Sequence, residues 1–256
     1  MSIALSVNVN KIALIRNSRK GNNPDLLRHA ERCLAAGADG ITVHPRPDQR
    51  HIRPEDCIQL RALPTELNIE GNPFEGPASP NRSDFSDYPG FMQLITEVKP
   101  DQATLVPDQS QQLTSDHGFD LVAQGKALAP IIDEIKQQGI RVSLFMDPVI
   151  EQIDLAKAIG ADRIELYTGP YAEAVDTKNN TSRIEELLST YFAAAAHAQT
   201  IGLGVNAGHD LNLRNLSSFA KAPGLMEVSI GHALSVDTIE MGLDKAIKAY
   251  YQQLEY

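Results

Sequence analysis

The sequence predicts one α/β domain over residues 1–256, a closed (β/α)8 TIM barrel of parallel strands, and three observations lead there. Its length of 256 residues is the usual size of such a barrel and the upper edge for one domain. Short apolar stretches near residues 3, 40, 66, 102, 141, 163, 203 and 226 read as eight strands, each followed by a helix or a segment long enough for one. The Gly-x-Gly-x-x-Gly turn that favours an open doubly wound sheet does not follow the first strand.

In chain order, Ile3, Leu5 and Val7 alternate as a first strand, and residues 8–19, with Asn8, Asn10, Lys11, Arg16 and Arg19, read as a polar, basic connection. Asn23-Pro24 is expected to be an N-cap followed by proline in the first turn of a helix that carries Leu26, Leu27, Ala30, Cys33 and Leu34 to a stop at Gly37. Ile41 and Val43 form the second strand, after which His44, Arg46, Arg50 and His51 crowd a loop that Pro45 and Pro47 hold extended. Pro54 opens a helix with Ile58 and Leu60, and residues 67–70 make a third strand ending in Glu70.

Pro73, Pro77, Pro80 and Pro89 make residues 71–89 an irregular insertion, either a surface excursion or a flap. A helix over 91–98 and a strand over 102–106 follow. A second polar loop, residues 107–118 with Thr114 and His117, is expected to act as a substrate lid. Leu128, Ile131, Ile132 and Ile135 give the i, i+3, i+4, i+7 spacing of a helix that ends at Gly139. Gly139, Gly160 and Gly202 then repeat the pattern of Gly37: a helix-ending glycine, a short apolar strand and a polar tip. Residues 226–230 form the last strand, and Gly231-His232 opens one helix with the stripe Ile239, Leu243, Ala246, Ile247, Tyr250 and Leu254.

A net charge of -10 and a pI near 5.1 argue against a nucleic-acid partner, whose domain would normally be basic. An acidic chain still binds small anions by gathering its cations in one cleft. Cys33 and Cys57 are the only cysteines and form no C-x-x-C, which points to buried thiols in a reducing cytoplasm. The start lacks the features of a signal peptide, and no apolar run approaches the ~18 residues of a membrane span, so no membrane is expected.

In a barrel all strand C-termini meet at one mouth. The tips read Asn8 and Lys11, His44 with Arg46, Glu70, Asp147, Glu165, Asn206 with His209, and Gly231-His232. Gly231-His232, at a strand-to-helix junction, aims backbone N–H groups and a positive helix end into the mouth, which suits a phosphate. Arg46, Arg50 and His51 make a second anion cluster across the ring. Between the two stand His44, Glu70, Glu165 and His209, able to move protons near neutral pH once burial tunes them. A metal site is the rival, since His and Glu are also zinc ligands, although no H-x-H or H-E-x-x-H spacing occurs. A Schiff-base lysine is a second rival, with Lys11 the only lysine at a tip.

Ordered segments over nearly the whole chain resemble the pyridoxine 5'-phosphate synthase family of vitamin B6 biosynthesis. They are V-N at 7–8, R-N-S-R at 16–19, G-A-D-G-I-T-V-H at 37–44, R-H-I at 50–52, N-I-E at 68–70, L-V-P at 105–107 and L-T-S at 113–115, followed by V-S-L-F at 142–145, I-E-L-Y-T-G-P-Y-A at 164–172, V-N-A-G-H at 205–209 and S-I-G-H-A at 229–233. The resemblance implies a barrel that condenses 1-deoxy-D-xylulose 5-phosphate with 3-amino-2-oxopropyl phosphate to pyridoxine 5'-phosphate, phosphate and water. It implies His44 and Glu70 as proton acceptors, His209 as proton donor, and Glu165 as the carboxylate that steadies charged intermediates. Arg46, His51 and Thr114 would bind the deoxyxylulose phosphate, and Asn8, Arg19, Gly231 and His232 the aminoketone phosphate. A homo-octamer without metal or organic cofactor is implied as well. Asn10-Lys11 stands where the family commonly has Asp-His, and Asp210 where it commonly has glycine, so these three also belong to the substrate-binding set. A metal-dependent lyase or hydrolase, or a non-catalytic binder of a related sugar phosphate, is the alternative.

Overall fold

The computed structural model describes residues 2–80, 82–109, 112–177 and 181–255. Among them, eight parallel strands close into a barrel in chain order, β1 pairing with both β2 and β8. The strands are β1 (Ala4–Asn8), β2 (Gly40–Val43), β3 (Glu66–Gly71), β4 (Gln102–Leu105), β5 (Arg141–Met146), β6 (Arg163–Leu166), β7 (Gly204–Ala207) and β8 (Leu225–Ile230). Around them lie α1 (Asn10–Asn17), α2 (Leu26–Ala35), α3 (Pro54–Leu60), α4 (Phe91–Val98), α5 (Leu121–Gln137), α6 (Ile150–Ala158), α7 (Gly169–Asp176), α8 (Thr181–Thr200), α9 (Leu216–Phe219), α10 (His232–Met241) and α11 (Leu243–Leu254). No helix is long and apolar enough to cross a membrane among the described residues.

One local device feeds several strands. After α2, α6 and α8 a glycine with positive φ (Gly37 +112°, Gly160 +96°, Gly202 +77°) turns the chain, and the next residue's N–H returns to the last turn: Ala38 to Cys33 O, Ala161 to Ala156 O, Leu203 to Ala198 O. This satisfies carbonyls that the helix end leaves open and aims the chain into a strand two or three residues on. At the same end Asp39, Asp101 and Asp162 accept the backbone N–H of Leu5, Leu67 and Val142, which pins the register of neighbouring strands.

Alternation along the strands sends aliphatic side chains such as Leu5, Ile41, Ile69, Val142 and Ile164 outward into the layer under the helices, all fully buried. The opposite parity fills the barrel with polar groups. Ser6 meets Thr42 at 2.7 Å, Thr104 donates to Asn68 at 2.9 Å, Arg141 donates to Gln102 at 2.8 Å, and Arg163 pairs with Glu227 at 3.2 Å. Barrel interiors are more often packed with branched aliphatics.

Three expectations need correction. Residues 10–17, expected within a polar, basic connection, form a helix with Ala13 and Arg16 buried on its inner face. The N-cap of α2 is Asp25, whose carboxylate accepts the Arg28 N–H at 3.0 Å, while Asn23-Pro24 is a cis peptide ahead of the helix. The C-terminal stripe belongs to two helices broken at Gly242 (φ +86°), so Ile239 is 76% exposed while Leu243, Ala246, Ile247, Tyr250 and Leu254 are buried.

In the irregular stretch, the described residues 72–80 and 82–89 carry one isolated antiparallel bridge, Ala78 with Tyr88, and Tyr88 is fully buried. Asn81, Ser110 and Gln111, within the two expected loops, lie outside the described residues.

Arg16, 1% exposed, makes a bidentate pair with Asp56 (2.5 and 2.8 Å) and donates to His51 O at 3.1 Å. Asn17 donates to the carbonyls of Gln49 and His51. This anchor ties α1 to the β2 loop and so fixes where His51 stands. Asp56→Ala is expected to destabilise the fold by about 3–5 kcal/mol, because it strands a buried guanidinium. Urea unfolding followed by circular dichroism measures it.

Candidate active site

At the C-terminal mouth a cavity of about 450 Å³ is lined by His44, Glu70, Glu165 and His209 together with Asn8, Asn10, Lys11, Arg46, Arg50, His51, Thr114, Asp210, Gly231 and His232. Every expected site residue but one is therefore on its wall. Arg19 is exposed and lines a separate surface pocket with Lys20, Arg82 and Asp84. It sits two residues past the end of α1, whose first residues, Asn10 and Lys11, line the mouth. Two other expected tips also miss the cavity. Asp147 accepts the Gly118 N–H at 3.2 Å, and Asn206 lies inside the barrel beside Arg163 and Glu227.

His44 follows β2, its backbone N–H donating to Asn10 Oδ1 at 3.0 Å and its Nδ1 lying 3.8 Å from Glu70 Oε2. Burial, then Arg46, His51, Arg50 and His209, hold its pKa well below the ordinary imidazole value. It is a neutral ring at pH 7. Glu70 projects inward from β3, takes a 3.4 Å hydrogen bond from Asn8 Nδ2, and is pushed well above the usual carboxylate range by burial and then by Glu165 and Asp108. Glu165, on β6 opposite Phe145 and Asn206, is raised to about 8 by burial and then by Glu227, and its Oε2 is buried without a hydrogen-bond partner. The pair is thus a neutral imidazole beside a carboxyl whose charged form burial disfavours, with a second such carboxyl, Glu165, across the floor.

On the β2 side, Arg46 is 3% exposed and paired with Asp108, which also accepts from Ser115 at 2.7 Å. Arg50 donates to Asp48 at 2.7 Å and to Gln112 O at 3.0 Å. His51 Nδ1 accepts the Ile52 N–H at 2.9 Å, so the ring proton sits on Nε2. Burial, with Arg46, Arg50 and Lys11 nearby, lowers its pKa to about 3, which leaves His51 a neutral N–H donor.

The β7–β8 side is built on close approach. A Cβ on Gly208 would lie 2.1 Å from Ser229 O, and one on Gly231 would meet Asn8 at 3.1 Å, so glycine lets the tips of β7, β8 and β1 converge. Gly231 caps the ten-residue α10, whose first N–H groups face an adjoining cavity of about 540 Å³ that shares Asp210, Gly231 and His232 with the first. His209 stands just beyond β7: Nε2 is 2.7 Å from Thr114 Oγ1, and the ring packs edge-on against Phe145 and Tyr167 at 6.1 and 5.7 Å. Among the described residues no group of three His, Cys, Asp or Glu is placed to share a metal ion.

Reading tips alone passed over Phe145, Ser229, Asp108 and Ser115. Phe145 and Ser229 share the inward parity of Arg141 and Ser143, and of Glu227, on β5 and β8, so a two-residue alternation of polar groups was the available signal. Asp108 and Ser115 carry no such signal, because their loop positions follow from tertiary packing.

A family model described as pyridoxal phosphate biosynthesis protein PdxJ matches residues 5–256. The chain is 51% identical over 255 residues to a pyridoxine 5'-phosphate synthase of Xanthomonas axonopodis pv. citri, covering 98% of this chain and 96% of that one. It is 50% identical over 256 residues to a protein of the same name from Xylella fastidiosa, covering 98% and 94%. Among solved structures, a thiamine phosphate pyrophosphorylase from Pyrococcus furiosus superposes with a TM-score of 0.57 at 14% identity over 99% of this chain and 96% of that one, a likeness of fold alone.

Proposed function

The chain belongs to the PdxJ family of pyridoxal phosphate biosynthesis proteins, and on that premise we propose how its cup makes pyridoxine 5'-phosphate. The substrates are 1-deoxy-D-xylulose 5-phosphate, held on the β2 side by Arg46, His51 and Thr114, and 3-amino-2-oxopropyl phosphate, held on the β7–β8 side by Asn8 and the Gly231-His232 helix start. The reacting ends meet between them. Condensing an amine with a ketone and closing the ring require protons to leave carbon and nitrogen and to reach departing oxygens.

His44, a neutral ring, takes the first of these protons. Glu70, whose charged form burial disfavours, acts as a proton acceptor once an incoming ammonium favours its carboxylate form. His209 gives a proton to the leaving hydroxyl. Glu165 ionises opposite the cationic intermediates that form on the floor. Asn10 contributes its side-chain oxygen to the His44 N–H, a bond that an aspartate also makes, so the departure there leaves His44 in place. Lys11 adds a cation beside His51. Arg19, the other expected contact to the aminoketone phosphate, lines a separate surface pocket with Lys20 and Arg82.

The observation that carries the reading is the convergence of His44, Glu70, Glu165 and His209 on one cavity between two anion-binding sides. Purified protein is expected to consume both phosphates and release pyridoxine 5'-phosphate, followed by phosphate assay and product chromatography. Binding of only one of the two compounds by calorimetry sinks the assignment. A homo-octamer in the cytoplasm belongs to the same proposal; two buried, unpaired thiols agree with the compartment, and sedimentation velocity tests the assembly.

A further inference from the structure

We propose that Asp210 is a positioning residue for His209, turning the imidazole so that Nδ1 carries a proton toward the carboxylate and Nε2 faces the reacting ends. The inference rests on the reading of His209 as proton donor and adds a part to it. Asp210 Oδ2 lies 2.9 Å from His209 Nδ1. That bond, ahead of every other influence, holds the Asp210 carboxyl below its ordinary range, so around neutrality it is an ionised acceptor and Nδ1 must supply the proton. The remaining ring nitrogen is the one that meets Thr114 Oγ1 at the cavity wall.

The backbone is held to match. Asp210 adopts φ +66°, a left-handed conformation that aspartate tolerates better than most residues, and its carbonyl accepts from Asn212 and Asn215 at 3.3 and 3.2 Å. Thr168 donates its hydroxyl to the His209 carbonyl. The Asp210 charge is therefore directed at the imidazole. The other titratable groups around the pair are His44 and His232, and Tyr167 with Asp116, Asp147 and Glu173 about it.

The test compares Asp210→Asn, Asp210→Gly and Asp210→Glu with the parent, by steady-state kinetics on both phosphates across pH and by nitrogen NMR of the His209 ring. Asparagine and glycine both tolerate the left-handed backbone, so these variants keep the loop. The expected result is a kcat at least ~10-fold lower for Asp210→Asn and Asp210→Gly, KM values within about 3-fold, partial recovery with Glu, and a changed His209 ring tautomer in Asp210→Gly. An unchanged kcat profile and an unchanged ring tautomer overturn the inference, as does a shift confined to KM for the aminoketone phosphate. His209→Ala separates the two layers. If it retains turnover, the donor reading fails; if it is inactive while Asp210→Asn matches the parent, only the positioning role fails.

Discussion

His209→Ala is expected to lower kcat by roughly 10²–10⁴-fold, the range that a positioned general acid supplies, while the thermal midpoint stays within about 2 °C of the parent. The two halves of that expectation come from the same geometry. His209 stands on the loop beyond β7, its ring held by side chains at the mouth rather than inside the apolar layer. Truncation removes the proposed proton donor and a few rim contacts without opening a cavity in the core. The backbone at 208–210 is fixed by other means, through Gly208 against Ser229, Thr168 on the His209 carbonyl, and Asn212 and Asn215 on the Asp210 carbonyl. Steady-state assay with both phosphates and calorimetric melting measure the two halves. A variant that turns over at the parent rate removes His209 from the proton-donor role.

The barrel was legible because each β-strand is bracketed by local chemistry that needs no knowledge of the rest of the chain. Gly37, Gly160 and Gly202 stop helices for a conformational reason, and the apolar run after each is too short for anything but a strand. Once the tips were known to converge, His44, Glu70, Glu165 and His209 followed. What stayed hidden depends on packing. The helix at 10–17 carries Arg16 on its buried face, and an arginine there reads as solvent-facing until Asp56, forty residues away, is known to receive it. Arg19 shares a motif with Arg16 but not its face. Asp147 and Asn206 sit at tips by sequence position, yet one ties down Gly118 and the other joins the interior network, because which way a tip side chain turns is settled by its neighbours. Gly242 broke the last helix inside an otherwise continuous apolar pattern, which periodicity alone passes over.

The interior polar network makes a second large effect measurable, through Glu165→Gln. This change is expected to lower turnover by about 100-fold and yet to raise the thermal midpoint at pH 8. Glu165 is 3% exposed, with one oxygen lacking a partner and Glu227 nearby, and its folded-state pKa of about 8 lies well above the ordinary value of 4.5. The fold therefore keeps a proton that the unfolded chain releases. The stability associated with that bound proton is complete below pH 4.5, falls by about 1.4 kcal/mol per unit as pH rises toward 8, and is gone above it. Glutamine has no charge to desolvate and so escapes the decline, although its amide is left short of a partner in the same spot, which costs about 1–3 kcal/mol at every pH. At pH 5 the parent is therefore as stable as the variant or more so, and by pH 8 the order reverses. Melting curves at the two pH values decide it, and a gap that fails to move toward the variant between pH 5 and 8 means that Glu165 is already ionised in the folded chain at pH 5. The expected catalytic loss and the expected gain in stability share one origin: under the proposed role of Glu165, a carboxyl whose charged form burial disfavours gains its charge when a cationic intermediate forms against it.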